Sequence, residues 1–124
     1  MLYLVHADNL IPTETTGATA KSKKNETAYV VPGASSPART PLAEPIFILQ
    51  SENIKPQSLQ LYRMEVKGGN REVMIGRHGE QPLRLTVTRL DANLYRLEAD
   101  EELENGEYAV SPTGSDTVFC FQIF

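Results

Sequence analysis

The sequence predicts an all-β fold, a single β-sandwich of the immunoglobulin-like or a related kind with about eight or nine short strands. Apolar and polar residues alternate over most of the 124 residues, which is the period of a half-buried strand. Turn residues recur about every eight to twelve positions. Four prolines follow the second strand candidate and exclude a helix there: Pro32, Pro37, Pro41 and Pro45. The length predicts one domain.

Short segments rich in apolar, β-branched or aromatic residues are the strand candidates. They are residues 2–7, 28–31, 46–49, 59–67, 71–77, 82–88, 93–100, 107–111 and 117–124. Gly68-Gly69-Asn70 predicts a hairpin turn, because these residues tolerate positive φ. Val73 and Ile75 are expected on the inward face of the returning strand. The continuous apolar run 46–49 predicts a strand that is buried on both faces.

The polar stretch from Pro12 to Thr27 has neither a strand nor a helix period, which indicates a linker or an extended arm without regular structure. We therefore expect residues 1–27 to form an N-terminal strand and a flexible arm, and residues 28–124 to form the sandwich domain. Helix content should be very low, with short turns at 53–58 and 101–104 as the candidates. The last strand carries Phe119, Phe121 and Ile123 on one face, so the C-terminus should be packed.

The second half of the chain carries several short pieces whose spacing is distinctive. They are Ala34-Ser35-Ser36-Pro37, Arg39-Thr40-Pro41, Leu61 to Lys67, Arg71-Glu72-Val73, Leu103 to Ala109, Ser111-Pro112 and Phe119-Cys120-Phe121. On these pieces the stretch from Tyr29 to Phe124 resembles a group of uncharacterised bacterial β-sandwich domains, which often end in Phe-Cys-Phe-Gly. Gln122 replaces that glycine here. The resemblance implies a sandwich, an inward-facing Tyr108, and a bacterial source in an envelope or extracellular setting. It implies no catalytic residue.

Composition and charge argue against several classes of function. The net charge of −4 and the isoelectric point near 5.2 give no general footprint for nucleic acid or anionic lipid. No apolar run approaches the roughly 18 residues of a spanning helix, so we expect no membrane span. The first residues lack the pattern of a signal peptide. The one cysteine, Cys120, is interpreted as a small buried apolar side chain rather than a reactive thiol.

Candidate chemical groups do not form a recognised catalytic or metal-binding motif. His6 and His78 have no partner at zinc-ligand spacing, so we predict no metal site and no cofactor. The acidic residues are Glu98, Asp100, Glu101, Glu102, Glu104 and Glu107. They could form an acid–base pair or a calcium site, but a solvated acidic turn is the favoured interpretation.

The basic residues favour surface roles as well. They are Arg63, Arg71, Arg77, Arg84, Arg89 and Arg96. We expect them mainly on outward faces, in cross-strand ion pairs rather than in a phosphate-binding surface. A further basic patch, residues 21–24, lies in the expected arm, where it could contact an acidic partner surface. The two glycine-containing loops, 67–70 and 76–79, match no phosphate-binding motif.

These observations favour a non-catalytic structural or interaction protein with a homo-oligomer or another protein as partner. Our preferred version is self-assembly by strand exchange through the N-terminal arm, which would extend into a filament if the contact does not close. The expected assembly residues are Leu2, Tyr3, Leu4, Val5, Leu10 and Ile11. The alternative is a monomeric binding module that recognises a protein or a glycan. A small hydrolase that uses the acidic cluster is a third hypothesis.

Overall fold

The computed structural model describes residues 1–23, 25–76 and 78–124, and it confirms the all-β prediction. The strands are β1 (Leu2–His6), β2 (Asn9–Pro12), β3 (Glu14–Gly17), β4 (Thr19–Lys23), β5 (Glu26–Pro32), β6 (Arg39–Thr40), β7 (Ile46–Gln50), β8 (Leu59–Lys67), β9 (Asn70–Gly76), β10 (Leu85–Asp91), β11 (Leu94–Ala99), β12 (Gly106–Pro112) and β13 (Thr117–Ile123). Within the described ranges the helical content is one 3-10 turn, Pro56–Ser58, inside the expected segment 53–58. The segment 101–104 is not helical.

The smaller of two sheets is antiparallel and has the order β10–β11–β7–β1–β2. The N-terminal strand β1 therefore lies inside this sheet, between β7 and β2, rather than apart from it. A tight turn joins β1 to β2, and Ala7 in that turn has a φ of 54°. Alternate residues of each strand face the second sheet.

The larger sheet curls round on itself. Its order is β3–β13–β12–β8–β9–β5–β4, with β6 added in parallel to the second half of β13. The two edge strands, β3 and β4, are consecutive in the chain and are separated by Ala18 alone. Because β3 pairs with β13 while β4 pairs with β5, the segment 14–23 joins both edges of the sheet. The enclosed space, which we call the lumen, resembles the interior of a small barrel.

Two hydrophobic cores result from this arrangement. The main core lies between the sheets, where Phe121 packs against Phe47 and Tyr108 with ring centroids 5.2 and 5.5 Å apart. The second core fills part of the lumen with Val31, Met64, Ala109, Val118 and Cys120. Strands β12 and β13 send alternate residues into the two cores, so both strands are buried almost continuously.

The expectation of a stretch without regular structure from Pro12 to Thr27 is wrong. These residues end β2, form β3 and β4, and begin β5. The strands β2, β3 and β4 are only four or five residues long, and the stretch is shared between two sheets. The inward positions also carry small polar side chains: Thr13, between β2 and β3, is buried, and its hydroxyl donates to the Leu2 carbonyl oxygen at 2.7 Å. A search for large apolar residues at period two does not detect such strands.

The nine predicted strands are all present with bounds shifted by at most three residues, but the described residues form thirteen strands because β2, β3, β4 and β6 were not expected. Glycines at positive φ form the turn between β8 and β9 (Gly68 58°, Gly69 80°), and Phe119, Phe121 and Ile123 pack into the main core. One expectation about burial is also wrong: β7 alternates between buried and half-buried residues instead of being buried on both faces. The smaller sheet packs on the larger one with one face only, so no residue that the structure describes covers the other face of β7.

Candidate interaction surface

The uncovered face of the smaller sheet carries a contiguous group of apolar side chains. Strand register brings Tyr3 opposite Ile48 and Val5 opposite Leu10, and Ile46 follows on the same face two residues before Ile48. Leu10 is 53% exposed and the other four are half-buried. We call Tyr3, Val5, Leu10, Ile46 and Ile48 the outer apolar face. Contiguous exposed apolar patches on a protein often mark contact surfaces.

The residues expected to mediate assembly divide between the two sides of the sheet. Leu2 and Leu4 are fully buried in the main core, and Ile11 packs against that core. Tyr3, Val5 and Leu10 lie on the outer apolar face. Strand alternation alone produces this division.

Charged residues and unpaired strand edges border the outer apolar face. Arg96 and Glu98 of β11 lie opposite Ile48 and Ile46 and form an ion pair with a nitrogen–oxygen distance of 3.0 Å. In the described part of the chain β2 and β10 each leave one edge without a strand partner. The register of β10 shifts between Arg89 and Asp91, which is the kind of irregularity that protects an edge from unwanted pairing.

Buried charge in the lumen is the feature that sequence reasoning missed. Arg71, expected on an outward face, is 1% exposed. Its Nη1 and Nη2 donate to Glu14 Oε1 and Oε2 at 2.7 and 3.1 Å. Its Nε and Nη2 also donate to the carbonyl oxygens of Gly33 and Pro32 at 2.9 and 2.8 Å. The alternation that puts Val73 inward puts Arg71 inward too, so the pattern of β9 contained the information.

A second carboxylate completes this group, which we call the Arg71 cluster (Arg71, Glu14 and Glu107). Glu107 Oε1 lies 3.9 Å from Arg71 Nη1 and accepts the backbone N–H of Ser36 at 2.8 Å. Burial raises the pKa of Glu107, and its hydrogen bond from Ser36 and the charge of Arg71 only partly oppose this. Burial also acts to raise the pKa of Glu14, but hydrogen bonds from Arg71 and Ser36 and the charge of Arg71 outweigh it, so that pKa is lowered.

The Arg71 cluster acts as a clamp, because it links strands on both sides of the point where the larger sheet closes. The guanidinium belongs to β9, its carboxylate partner to the edge strand β3, and its carbonyl partners to the end of β5 and the residue that follows it. In the described residues every buried side-chain nitrogen and oxygen has a hydrogen-bond partner. Arg71 is therefore engaged on all sides by the protein itself.

The remaining chemical candidates are scattered. Cys120 is fully buried, and burial raises the pKa of its thiol to about 12, which agrees with its interpretation as an apolar core residue. His6 ends β1, whereas His78 is exposed and donates its backbone N–H to Glu26. Among residues 1–23, 25–76 and 78–124, no three His, Cys, Asp or Glu side chains form a group that could hold a metal ion.

The acidic residues do not gather at one place. Glu98 lies on the uncovered face of β11, residues 100–102 and Glu104 are exposed in the next loop, and Glu107 is inside the lumen. The exposed cations Arg63 and Arg96 pair with Glu104 and Glu98. Lys67 at the hairpin tip pairs across the strands with Glu72 at 3.3 Å. Arg77 and Lys24 lie outside the described residues.

Comparisons with protein-family models, with curated proteins and with solved structures found no match for this chain. In the described part of the chain, no helix has the length and apolar character to cross a bilayer. The case for a function therefore depends on the surfaces and cavities of the fold.

Proposed function

We propose that this chain is a non-catalytic interaction protein that associates with a second copy of itself through the outer apolar face. The observation that carries the proposal is the contiguity of Tyr3, Val5, Leu10, Ile46 and Ile48 on a sheet face that no described residue covers. Two such faces can pack as a sheet-on-sheet contact, as in a β-sandwich. A contact between identical faces closes on itself and gives a dimer.

Face-to-face packing is favoured over exchange of the first strand on energetic grounds. Exchange requires Leu2 and Leu4 to leave the main core, where both are fully buried. Each leucine contributes roughly 1.5–3 kcal/mol through its burial, and a neighbouring copy would have to replace all of it. Packing of the outer apolar face leaves this core intact.

The size of the face predicts a weak association. The outer apolar face spans three strands about 4.8 Å apart and five residues long, which cover roughly 14 by 17 Å, or about 240 Å² in projection. Stable complexes bury about 800 Å² on each partner. We therefore expect a dimer that forms at high protein concentration and dissociates on dilution.

Sedimentation velocity across a wide concentration range tests the proposal. The wild-type chain should move from monomer towards dimer as concentration rises, and Leu10→Glu should stay monomeric. Leu90→Glu is the matched control, because Leu90 is 50% exposed, close to the 53% of Leu10, and lies on the opposite edge strand of the same sheet. A wild-type chain that stays monomeric at every concentration, or equal effects of the two substitutions, would refute the proposal.

A further inference from the structure

A cavity of about 270 Å³ lies inside the lumen, apart from the outer apolar face. It occupies the end of the lumen near Ser111, whereas the Arg71 cluster lies near Glu107 at the other end of β12. Protein interiors normally contain few voids larger than one water molecule. At about 30 Å³ for each water in the liquid, this cavity has room for about nine.

Residues from opposite walls of the curled sheet line the cavity. Strand register pairs Tyr29 with Val73 on one wall and Tyr62 with Ala109 on another, and all four line the cavity. Ala18, at the point where the segment 14–23 joins the two sheet edges, lines it as well. The small side chains of Ala18 and Ala109 leave the space that larger residues would fill.

Polar groups are concentrated at the mouth of the cavity. Pro112 at the end of β12 and the loop that follows it to Asp116 form this rim, and Gln60 also lines the cavity. The Tyr62 hydroxyl donates to Gln60 Oε1 at 3.1 Å. Burial and the nearby Tyr29 raise the pKa of Tyr62, so its hydroxyl keeps its proton at neutral pH. Asp116 is the charged side chain of the described lining, so the rim disfavours an anion.

We propose that the lumen cavity binds a small apolar molecule, aromatic or branched, that carries one uncharged hydrogen-bonding group. Its body packs between the walls that carry Tyr29 and Tyr62, and its polar group meets the rim. The volume sets the size at about nine non-hydrogen atoms, if each takes the share of one water. Apolar walls with a few polar groups at one end are the general form of a small-molecule site.

Titration of the ¹⁵N-labelled full chain with benzyl alcohol, followed by amide chemical shifts, tests this inference. Benzyl alcohol has the expected size and one hydroxyl group. We expect saturable shifts confined to the cavity, including the amides of Ala18, Tyr62, Ala109 and Asp116. Benzoate should bind about fivefold more weakly, since a carboxylate close to Asp116 costs on the order of one like-charge contact in water.

Two substitutions from opposite walls make the test specific. Ala109→Leu and Ala18→Leu should each fill the cavity and weaken benzyl alcohol binding at least tenfold. Ala92→Leu, in the exposed turn between β10 and β11, is the control and should bind as the wild type does. A wild-type titration without saturation, shifts that lie on the outer apolar face, or full binding by both folded filled variants would overturn the inference. The wild-type titration decides the question even if a filled variant does not fold.

Discussion

The Arg71 cluster makes the strongest prediction for stability. Arg71→Met removes a guanidinium that donates to both Glu14 oxygens and to two backbone carbonyls at 2.7–3.1 Å. It leaves the carboxylate of Glu14, whose side chain is 23% exposed, and the buried carboxylate of Glu107 without their cation. Removing one partner of a buried ion pair typically costs about 3–5 kcal/mol. That is a large part of the roughly 5–15 kcal/mol by which domains of this kind are stable.

Urea unfolding followed by far-UV circular dichroism measures this cost. The control is Arg96→Met, which removes an ion pair at 3.0 Å whose side chains are 42% and 38% exposed and should therefore cost no more than about 1 kcal/mol. The double variant Arg71→Met/Glu14→Gln should recover part of the loss, because it also removes one unpaired charge. A free energy of unfolding for Arg71→Met within 1 kcal/mol of Arg96→Met, measured by the same assay, would refute the clamp.

The pH dependence of the wild type tests the same cluster by a second route. The pKa of Glu14 in the folded chain lies below its ordinary value of 4.5. Its stabilising contribution is therefore complete above pH 4.5 and is lost as the pH falls through the folded value. Glu14→Gln should flatten the fall in melting temperature over that acidic range. Equal changes in melting temperature for the wild type and Glu14→Gln over that range would contradict the lowered pKa, because the raised pKa of Glu107 acts in both chains.

Three further predictions concern single residues. Glu107→Gln should leave the free energy of unfolding at pH 7 unchanged or raise it, because the folded site raises the pKa of this carboxyl and the amide oxygen can still accept from Ser36. A loss above about 1 kcal/mol in urea unfolding would contradict this. Cys120 should not react with a thiol reagent at pH 8 in the folded chain, since its thiol is buried with a pKa of about 12, and it should react fully in urea. Gly76→Ala should destabilise the chain more than Gly17→Ala. Gly76 has a φ of +150° and a Cβ there would lie 2.9 Å from a backbone oxygen, whereas a Cβ at Gly17 would meet open space. Equal melting temperatures of the two variants would refute this.

Sequence patterns predicted strands well where one face carries large apolar residues. The hairpin at residues 59–76 and the last strand have such faces, and the structure confirms both. The patterns failed at residues 12–27, because the inward positions there carry small or charged side chains, such as Thr13, Ala18 and Glu14, instead of large apolar ones. The patterns also did not predict that the larger sheet has a core on each of its two faces. A single sequence does not show that β12 and β13 separate two buried spaces.

The error at Arg71 has a different physical origin. Arginine is almost always solvent-exposed, and that general rule was given more weight than the alternation of β9. Burial of this side chain depends on Glu14, which is 57 positions away in the chain and lies in a strand that the patterns did not predict. Without β3 there was no partner for a buried cation. The failure to predict β3 therefore explains both errors: neither the burial of Arg71 nor the lumen was predicted.

The segment 14–23 connects the Arg71 cluster to the cavity. Glu14 at its start is bound by Arg71, and Ala18 in its middle lines the cavity and donates its backbone N–H to the Asp116 carbonyl oxygen at 2.8 Å. A segment held at these two points keeps the larger sheet closed around the cavity, although an alanine in its middle leaves the cavity unfilled. A larger side chain at position 18 should therefore weaken binding of the small molecule that we propose for this cavity. An unfilled space inside a closed sheet is the form that the proposed small-molecule site would take.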